Sequence, residues 1–272
     1  MIIFTGLASA IFPAQNTPMR FSTSSTSSTT RLLAFAIIAL LVAACAKKDA
    51  ACESTALFNG KDLAGWVAFA KDNPPGPAAT WGVAGGVITC AGMPFGYLRT
   101  EKSFSNYRLR VEWRWAGAPS ATAPDAKGKP RPRNSGVFLH MQGADEVWPT
   151  CVEAQLQENN AGDFIISGPG GIVASELAAA RAAALAAAGA DDAARKKAAE
   201  LRRLPKKNPS SEKPAGEWNR YDIICAGGTI TVSVNGVEQN RLTGLSVREG
   251  RICLQAEGAP VEFRNITLTP LK

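Results

Sequence analysis

Polar and apolar residues alternate one by one along several short segments, and this period of two constrains the fold most strongly. The clearest case is "YRLRVEWRW", 107–115, in which aromatic and aliphatic residues alternate with arginines and a glutamate. A strand sends successive side chains to opposite faces, so this segment predicts a strand with one buried face. "SGVFLHMQ", 135–142, and "CVEAQLQ", 151–157, follow as further strands, and Gly-Gly and Asn-Gly turn signals separate other segments. The sequence predicts an all-β fold, an antiparallel two-sheet sandwich of the jelly-roll type.

One segment breaks this pattern. Residues 174–204 are rich in alanine, and Ser175 is placed to cap a helix at their start. A break is expected near Gly189, and the apolar stripe of this helix is thin. The segment is therefore predicted to be a helical insert on the surface of the sandwich.

The N-terminal part has the pattern of an export signal. Beyond Met19, a candidate true start, Arg20 and Arg31 precede an apolar run over 32–44 that ends at Cys45. The run is shorter than the roughly 20 residues that span a bilayer. "LVAAC" resembles a bacterial lipobox, which implies that Cys45 carries a lipid. The alternatives are a short membrane anchor and an ordinary signal peptide.

These features predict the organisation of the chain. Residues 1–44 are expected to be a signal peptide, 45–55 a lipid-anchored linker, and 56–272 one domain that includes the insert 174–204. The predicted location is the membrane of a bacterial cell envelope, facing the periplasm.

The basic residues give little support to nucleic-acid binding. Two stretches, 127–133 and 195–207, are rich in lysine and arginine, but neither contains the interleaved aromatic residues of a nucleic-acid groove. Solvated loops and a helix face explain them, so no nucleic-acid partner is expected.

The stretch "CVEAQLQENNAGDF", 151–164, carries the main functional signal. Its strand places Glu153, Gln155 and Gln157 on one face and small apolar residues on the other. Sandwich glycosidases of the laminarinase type present Glu-x-Asp-x-Glu on such a strand, with two carboxylates as nucleophile and general acid. An amide can fill neither role, so a two-carboxylate mechanism fails on this strand.

Five motifs in order resemble one family. They are "LFNGKDLAGW", "NSGVFLH", "VWPTCVEAQLQENNAGDF", "GEWNRYDIICAGGTITVSVNG" and "GRICLQAEGAPVEFRNITL". Together they are similar to the 3-keto-disaccharide hydrolase family, which implies a concanavalin-like jelly roll and an enzyme that acts on small glycosides oxidised at C3. The insert 174–204 and the Pro-rich loop 118–134 depart from the common pattern.

Such substrates would explain the missing carboxylates. A ketone at C3 acidifies the proton at C2, and the glycosidic oxygen on C1 then lies beta to the carbonyl group. The bond can break by elimination followed by hydration, which needs a base, a partner for the enolate and help for the leaving group.

Three residues are candidates for catalysis. Glu153 matches the Glu of the family's Glu-x-Gln motif and is the first choice as base or metal ligand, with a plain surface acid as the alternative. His140, the single histidine, is expected on the same face as Phe138, although a lone strand histidine more often has a structural role. Glu257 is the second candidate acid.

Eight further residues are candidates for substrate binding because their amide, hydroxyl, guanidinium or indole groups suit a sugar. They are Asn134, Ser135, Trp148, Gln155, Gln157, Gln255, Arg264 and Asn265. Arg264 could instead pair with Glu262 or Glu153. A divalent cation such as calcium would suit hard oxygen ligands, with Glu153 and Gln155 as its candidate ligands, although the sequence has no dedicated metal motif.

Two other functions stay open at this point. A jelly roll can bind carbohydrate without cleaving it, since a fold does not determine a function. The chain could also be a structural lipoprotein whose Ala-rich helix binds a partner.

Overall fold

The computed structural model describes residues 53–71, 80–117 and 128–272. The predicted signal peptide, Cys45 and most of the Pro-rich loop lie outside these residues. Residues 52–272 form one compact unit.

Two antiparallel sheets of eight strands each form a sandwich. The strands of sheet I are β1 Thr55–Ala56, β3 Trp81–Ala84, β4 Val87–Cys90, β7 Tyr107–Trp115, β12 Asn219–Ala226, β13 Thr229–Val234, β14 Val237–Leu242 and β16 Val261–Pro270. The strands of sheet II are β2 Trp66–Ala70, β5 Gly96–Thr100, β6 Phe104–Ser105, β8 Gly136–Gln142, β9 Thr150–Gln155, β10 Phe164–Ser167, β11 Arg203–Leu204 and β15 Glu249–Ala256. The predicted fold class is confirmed.

The strand order places β8, β9 and β15 in the middle of sheet II. The order is β11-β10-β9-β8-β15-β5-β2 there, and β14-β13-β12-β7-β16-β4-β3 in sheet I. β1 and β6 pair with β16 and β15 outside these paths. Non-consecutive neighbours such as β8 and β15 bring distant parts of the sequence side by side.

The core lies between the two sheets and follows the period-two pattern. Leu109, Val111 and Trp113 of β7 are fully buried, whereas the residues that alternate with them, Arg108, Arg110, Glu112 and Arg114, lie on the outer face of sheet I. There Arg108 pairs with Asp222, and Arg114 Nε lies 2.6 Å from Glu262 Oε2. Burial of the apolar set, worth about 25 cal/mol per Å², favours the sandwich.

The insert contains two helices, α1 Ser175–Ala188 and α2 Asp192–Ala199. The break near Gly189 is confirmed, but the prediction that Ser175 caps α1 is wrong. The N-cap is Ala174 without a side-chain cap, because Ser175 is already the first helical residue. Instead, Glu176 accepts hydrogen bonds from Thr243 N at 2.7 Å and Thr243 Oγ1 at 2.9 Å, which tie α1 to the end of β14.

Two further observations concern the described residues. Neither α1 nor α2 is long and apolar enough to cross a membrane. Four buried cysteines are free thiols in this part of the chain: Cys90, Cys151, Cys225 and Cys253.

Candidate functional site

The face of sheet II that points away from sheet I carries a row of buried polar side chains, and we call it the site face. Val152 and Ala154 of β9 belong to the core, so the alternating residues Glu153 and Gln155 lie on the site face. Both are buried, as is Gln255 on β15. Polar groups are rarely buried in this way without a purpose or a partner.

Gly136 allows these side chains to approach one another across β8. A Cβ atom at this position would lie 2.5 Å from Glu153 Oε1 and 2.9 Å from Gln255 Oε1. The space that a side chain would occupy is therefore taken by the two functional groups. Glycine is required at this position by the close approach of these side chains and not by its backbone conformation.

Glu153 is a buried acid that favours its neutral form. Its side chain is 4 % exposed, and Oε1 has no hydrogen-bond partner among the described residues. Burial raises the pKa of Glu153 well above its usual range, and the charge of Glu257 raises it further, against the smaller effects of Arg202 and Arg203. Burial therefore favours the protonated form of this carboxyl group.

Glu257 lies just beyond the end of β15 and is only half-buried. Burial raises the pKa of Glu257 to about 7, while the side chains of Gln255 and Asn134 and the charge of Arg202 act in the opposite direction. The site face thus brings together two carboxyl groups with different proton affinities. Such a pair divides naturally into an acid and a base.

A hydrogen-bond network holds the amides that follow Glu153. Gln157 N donates to Gln155 Oε1 at 2.8 Å, which orients the Gln155 amide. Gln157, beyond the end of β9, accepts at Oε1 from Asn160 Nδ2 at 3.0 Å and from Arg203 Nη2 at 3.3 Å. Arg203 Nε also donates to the buried Asp163, at 2.7 Å from Oδ2. These contacts give the edge of the site a fixed shape.

Tyr221 of sheet I stabilises this edge of the site from the core side. Its buried hydroxyl donates to the Gln155 carbonyl oxygen and accepts from Gly162 N at 2.7 Å. The phenol therefore links the core side of the sandwich to the strand that carries Glu153.

Tyr221→Phe should lower the free energy of unfolding by about 1 kcal/mol, since it deletes a buried hydroxyl with two partners. Gly162 N still reaches the Gln155 carbonyl oxygen at 3.2 Å, which limits the loss. Urea denaturation measures the effect. The matched control is Tyr107→Phe, because the buried Tyr107 hydroxyl bonds no backbone group. Equal loss in both variants would contradict this role of Tyr221.

A loop over 143–148 borders the site face on the side of β5. Asp145 accepts hydrogen bonds from Tyr97 Oη at 3.0 Å and from Arg99 Nε at 2.7 Å. Tyr97 is the register partner of Gln255, so the loop lies next to the site. Trp148 is 44 % exposed and lies 6.2 Å from the Phe95 ring, which leaves an indole surface for stacking against a sugar.

The expectation that His140 shares a face with Phe138 is wrong. The β8–β9 register shifts between Leu139 and Gln142, and His140 has a φ of 53°. This bulge turns its ring toward the core, where it packs edge-on at 5.9 Å from Tyr107. Burial lowers the pKa of His140 to about 4, so the ring is neutral and structural.

Arg264 and Asn265 also lie away from the site. Both are on β16, and their side chains contact Glu112 Oε2 on the outer face of sheet I, at 2.8 and 3.0 Å. Arg264 also stacks 4.0 Å from the centre of the Trp218 ring. Both residues belong to the opposite sheet, so they do not lie on the site face with Glu153.

The Asn134-Ser135 pair divides into two roles. Ser135 is fully buried, and its Oγ donates to the Gln255 carbonyl oxygen at 2.8 Å, so it fastens β8 to β15. It faces the framework, which corrects its expected contact with substrate. Asn134 is near Glu257 and belongs to the site.

The sequence analysis did not identify three residues at or near the site: Arg202, Arg203 and Asp145. Arg202 and Arg203 belong to the basic stretch that was attributed to a solvated helix face, and Asp145 lies in a loop without a motif. The run of cations directly after the insert was the available signal for the arginines.

The described residues do not contain the set of donor side chains that a metal site needs. Across 53–71, 80–117 and 128–272, no three carboxylate, histidine or cysteine side chains converge. Glu153 and Gln155 alone do not make such a set, and calcium binding stays a prediction.

The comparisons with known proteins agree with this fold. Residues 53–269 match a family described as a 3-keto-alpha-glucoside-1,2-lyase-like domain. A candidate glycosyl hydrolase from Parabacteroides distasonis is similar in fold, with a TM-score of 0.52 and 20 % identity over 80 % of this chain and 94 % of that one. A β-glucanase from Bacillus licheniformis has a TM-score of 0.51 and 10 % identity over 83 % of this chain and 100 % of its own. No curated protein matches the chain in sequence. Because the family match covers most of its length, the chain belongs to the 3-keto-disaccharide hydrolase family, a group of carbohydrate-active enzymes of hydrolase or lyase type.

Proposed function

We propose that this protein cleaves the glycosidic bond of small glycosides that carry a ketone at C3, by elimination followed by hydration. The observation that supports this most is the pair of carboxyl groups on the site face: burial raises the pKa of Glu153 well above its usual range and the pKa of Glu257 to about 7. Family membership supports the substrate class.

Glu257 is the base of this proposal. Its carboxylate takes the C2 proton, and the C–H electron pair forms the C2–C3 double bond of an enolate with the charge on the C3 oxygen. A base that is half ionised near neutral pH is well matched to this step. The sequence favoured Glu153 for this role, but burial favours the protonated form of Glu153, which is suited to donate a proton.

Glu153 is the acid. As the enolate collapses, the C1–C2 double bond forms and the C1–O bond breaks, and the glycosidic oxygen receives the Glu153 proton. Water then adds across the C1–C2 double bond. Its oxygen bonds C1 while Glu153 takes back a proton, and Glu257 returns its proton to C2. The amides of Gln155, Gln255 and Asn134 are placed to bind hydroxyl groups around these atoms.

The test is to incubate the purified domain with a 3-keto-glycoside and with its unoxidised parent. We expect release of the leaving group from the ketone alone, because the C2 proton of the parent is not acidic. Equal cleavage of both sugars would contradict the elimination mechanism. Binding without turnover of either would instead favour a non-catalytic carbohydrate-binding protein.

Export and lipidation form the second part of the proposal. The support is the apolar run that ends in "LVAAC", and Cys45 lies outside the described residues. The enzyme would then act on sugars in the bacterial envelope while anchored to a membrane.

Cys45→Ser should release the protein from the membrane fraction or block its maturation, because the thiol accepts the lipid. Fractionation of cells and mass spectrometry of the mature N-terminus measure this. Cys52→Ser is the matched control and should stay anchored. A wild-type protein without lipid, together with unchanged membrane association of Cys45→Ser, would contradict lipidation.

A further inference from the structure

Two segments border the site face on opposite sides, and each lies next to a different one of the two proposed catalytic carboxyl groups. The loop 143–148 forms one border, beside β5, and β11 at the end of the helical insert forms the other. In the strand order β11-β10-β9-β8-β15-β5, Glu153 lies on β9 and Glu257 directly follows β15. The site therefore has an acid side towards β11 and a base side towards β5.

An aromatic residue lies beside Glu257 on the base side. Phe95 directly precedes β5, and Glu257 directly follows β15. The last paired residues of these two strands are Gly96 and Ala256, one position further in. The two chains stay together beyond this pair, because the residue after Glu257 donates its N–H to the carbonyl oxygen of Gly92 at 2.7 Å. Phe95 and Glu257 are therefore neighbours at this end of sheet II.

The loop 143–148 places a second aromatic ring at the same position. Asp145 accepts hydrogen bonds from Nε and Nη2 of Arg99 on β5, at 2.7 and 3.0 Å, which fix the loop beside this strand. The indole ring of Trp148 then lies 6.2 Å from the Phe95 ring. Because almost half of the Trp148 surface is exposed, its flat apolar face is available to a sugar ring on the side of Glu257.

A guanidinium group lies on the acid side. Ile165 of β10 pairs with Arg203 on one side and with Glu153 on the other, so the three residues form one row of sheet II. Nη2 of Arg203 lies 2.6 Å from Asp163 Oδ2 and 3.3 Å from Gln157 Oε1, which hold the planar group in place. The side chain is still 39 % exposed, so it keeps N–H donors for a ligand next to Glu153.

The chemistry of the two sides differs in a way that matches the two halves of a glycoside. The proposed base takes a proton from the ring that carries the ketone, whereas the proposed acid gives a proton to the leaving group. Two strand spacings, about 10 Å, separate β15 from β9, so the substrate extends across β8. Since Asp163 already balances the charge of Arg203, this guanidinium suits neutral hydroxyl groups better than an acidic substituent.

We infer that the substrate lies across sheet II in one direction, with the ring that carries the ketone stacked on Trp148 and a leaving-group sugar hydrogen-bonded to Arg203. This inference rests on the proposed function, and it names a specificity-determining residue for each half of the substrate. The helical insert, which ends in β11, then takes part in recognising the leaving group.

The test compares a 3-keto-disaccharide with a 3-keto-glycoside that has a nitrophenyl leaving group. Trp148→Ala should lower kcat/KM about tenfold for both substrates, because both contain the ring that stacks on the indole. Arg203→Met should lower kcat/KM about tenfold for the disaccharide alone, because the nitrophenyl group has no hydroxyl groups to bind. Arg203→Lys should show the same selectivity with a smaller loss, and it keeps a cation beside the buried Asp163 if the methionine variant does not fold.

Trp218→Ala and Arg195→Met are the matched controls. They remove an indole from the outer face of sheet I and a guanidinium from an exposed position on α2, and both should retain wild-type kcat/KM on the two substrates. The inference is wrong if the Arg203 variants impair both substrates equally, if Trp148→Ala impairs the disaccharide alone, or if either position behaves like its control. If the wild type cleaves neither substrate, the proposed function itself is wrong.

Discussion

Glu153→Gln should lower turnover of a 3-keto-glycoside about a hundredfold or more and should raise the thermal stability of the protein at neutral pH. The loss of turnover follows because an amide cannot donate the proton that the leaving oxygen needs. A 3-keto-glycoside with a nitrophenyl leaving group should be affected far less, since that group departs without a proton. Steady-state kinetics on the two substrates measures the difference.

The gain in stability follows from the direction of the pKa shift. Burial raises the folded-state pKa of Glu153 above its unfolded value, so the folded protein binds the proton more tightly. The wild type therefore loses stability as the pH rises above the unfolded value of about 4.3, and the glutamine variant does not. Thermal midpoints should agree near pH 4 and diverge at pH 8. Glu101→Gln, at an exposed position, serves as the control. A variant that is less stable than wild type at pH 8 would show that Glu153 is charged in the fold.

Glu257→Gln should lower kcat/KM by about a hundredfold to ten-thousandfold, the range expected for the loss of a general base. In the wild type, kcat/KM should rise as the pH passes about 7, because the base acts in its ionised form and its pKa is raised to about 7. The variant should lack this rise. It should also fail to exchange the C2 proton with D2O, and a nitrophenyl leaving group should not restore it.

Exchange of the C2 proton with D2O distinguishes the two glutamate variants. Glu153→Gln should still exchange the C2 proton, since its base is intact. Exchange that survives in Glu257→Gln but not in Glu153→Gln would reverse the two roles and return Glu153 to the position of base.

The sequence predicted those features that depend on local pattern. The alternation over 107–115 was enough for a sandwich strand, and the alternation around Glu153 was enough to place its side chain opposite the core. The alanine-rich composition of 174–204 was enough for two helices with a break between them. Each of these inferences uses contacts between residues that are close in sequence.

The errors arose where strand pairing and bulges, which a local pattern does not show, determine the position of a side chain. One bulge next to His140 reverses the face of a single residue, and an alternating pattern carries no trace of it. Arg264 and Asn265 were misplaced because assigning β16 to one sheet requires the pairing of β7 with β16, across about half of the chain. Arg203 lies in the row of Glu153 only because the insert returns the chain to the edge of β10.

The absent side chain at Gly136 has a consequence for redesigning this enzyme. Its volume is shared by the oxygen atoms of Glu153 and Gln255, so even a methyl group there would displace the acid. A glycine is needed at this position whichever sugar is bound. The centre of the sheet thus tolerates no substitution, whereas the loop at 143–148 and the insert border the site face with segments that can vary in length and composition. New preferences for the sugar or the leaving group are best sought by exchanging those two peripheral segments above an untouched glycine.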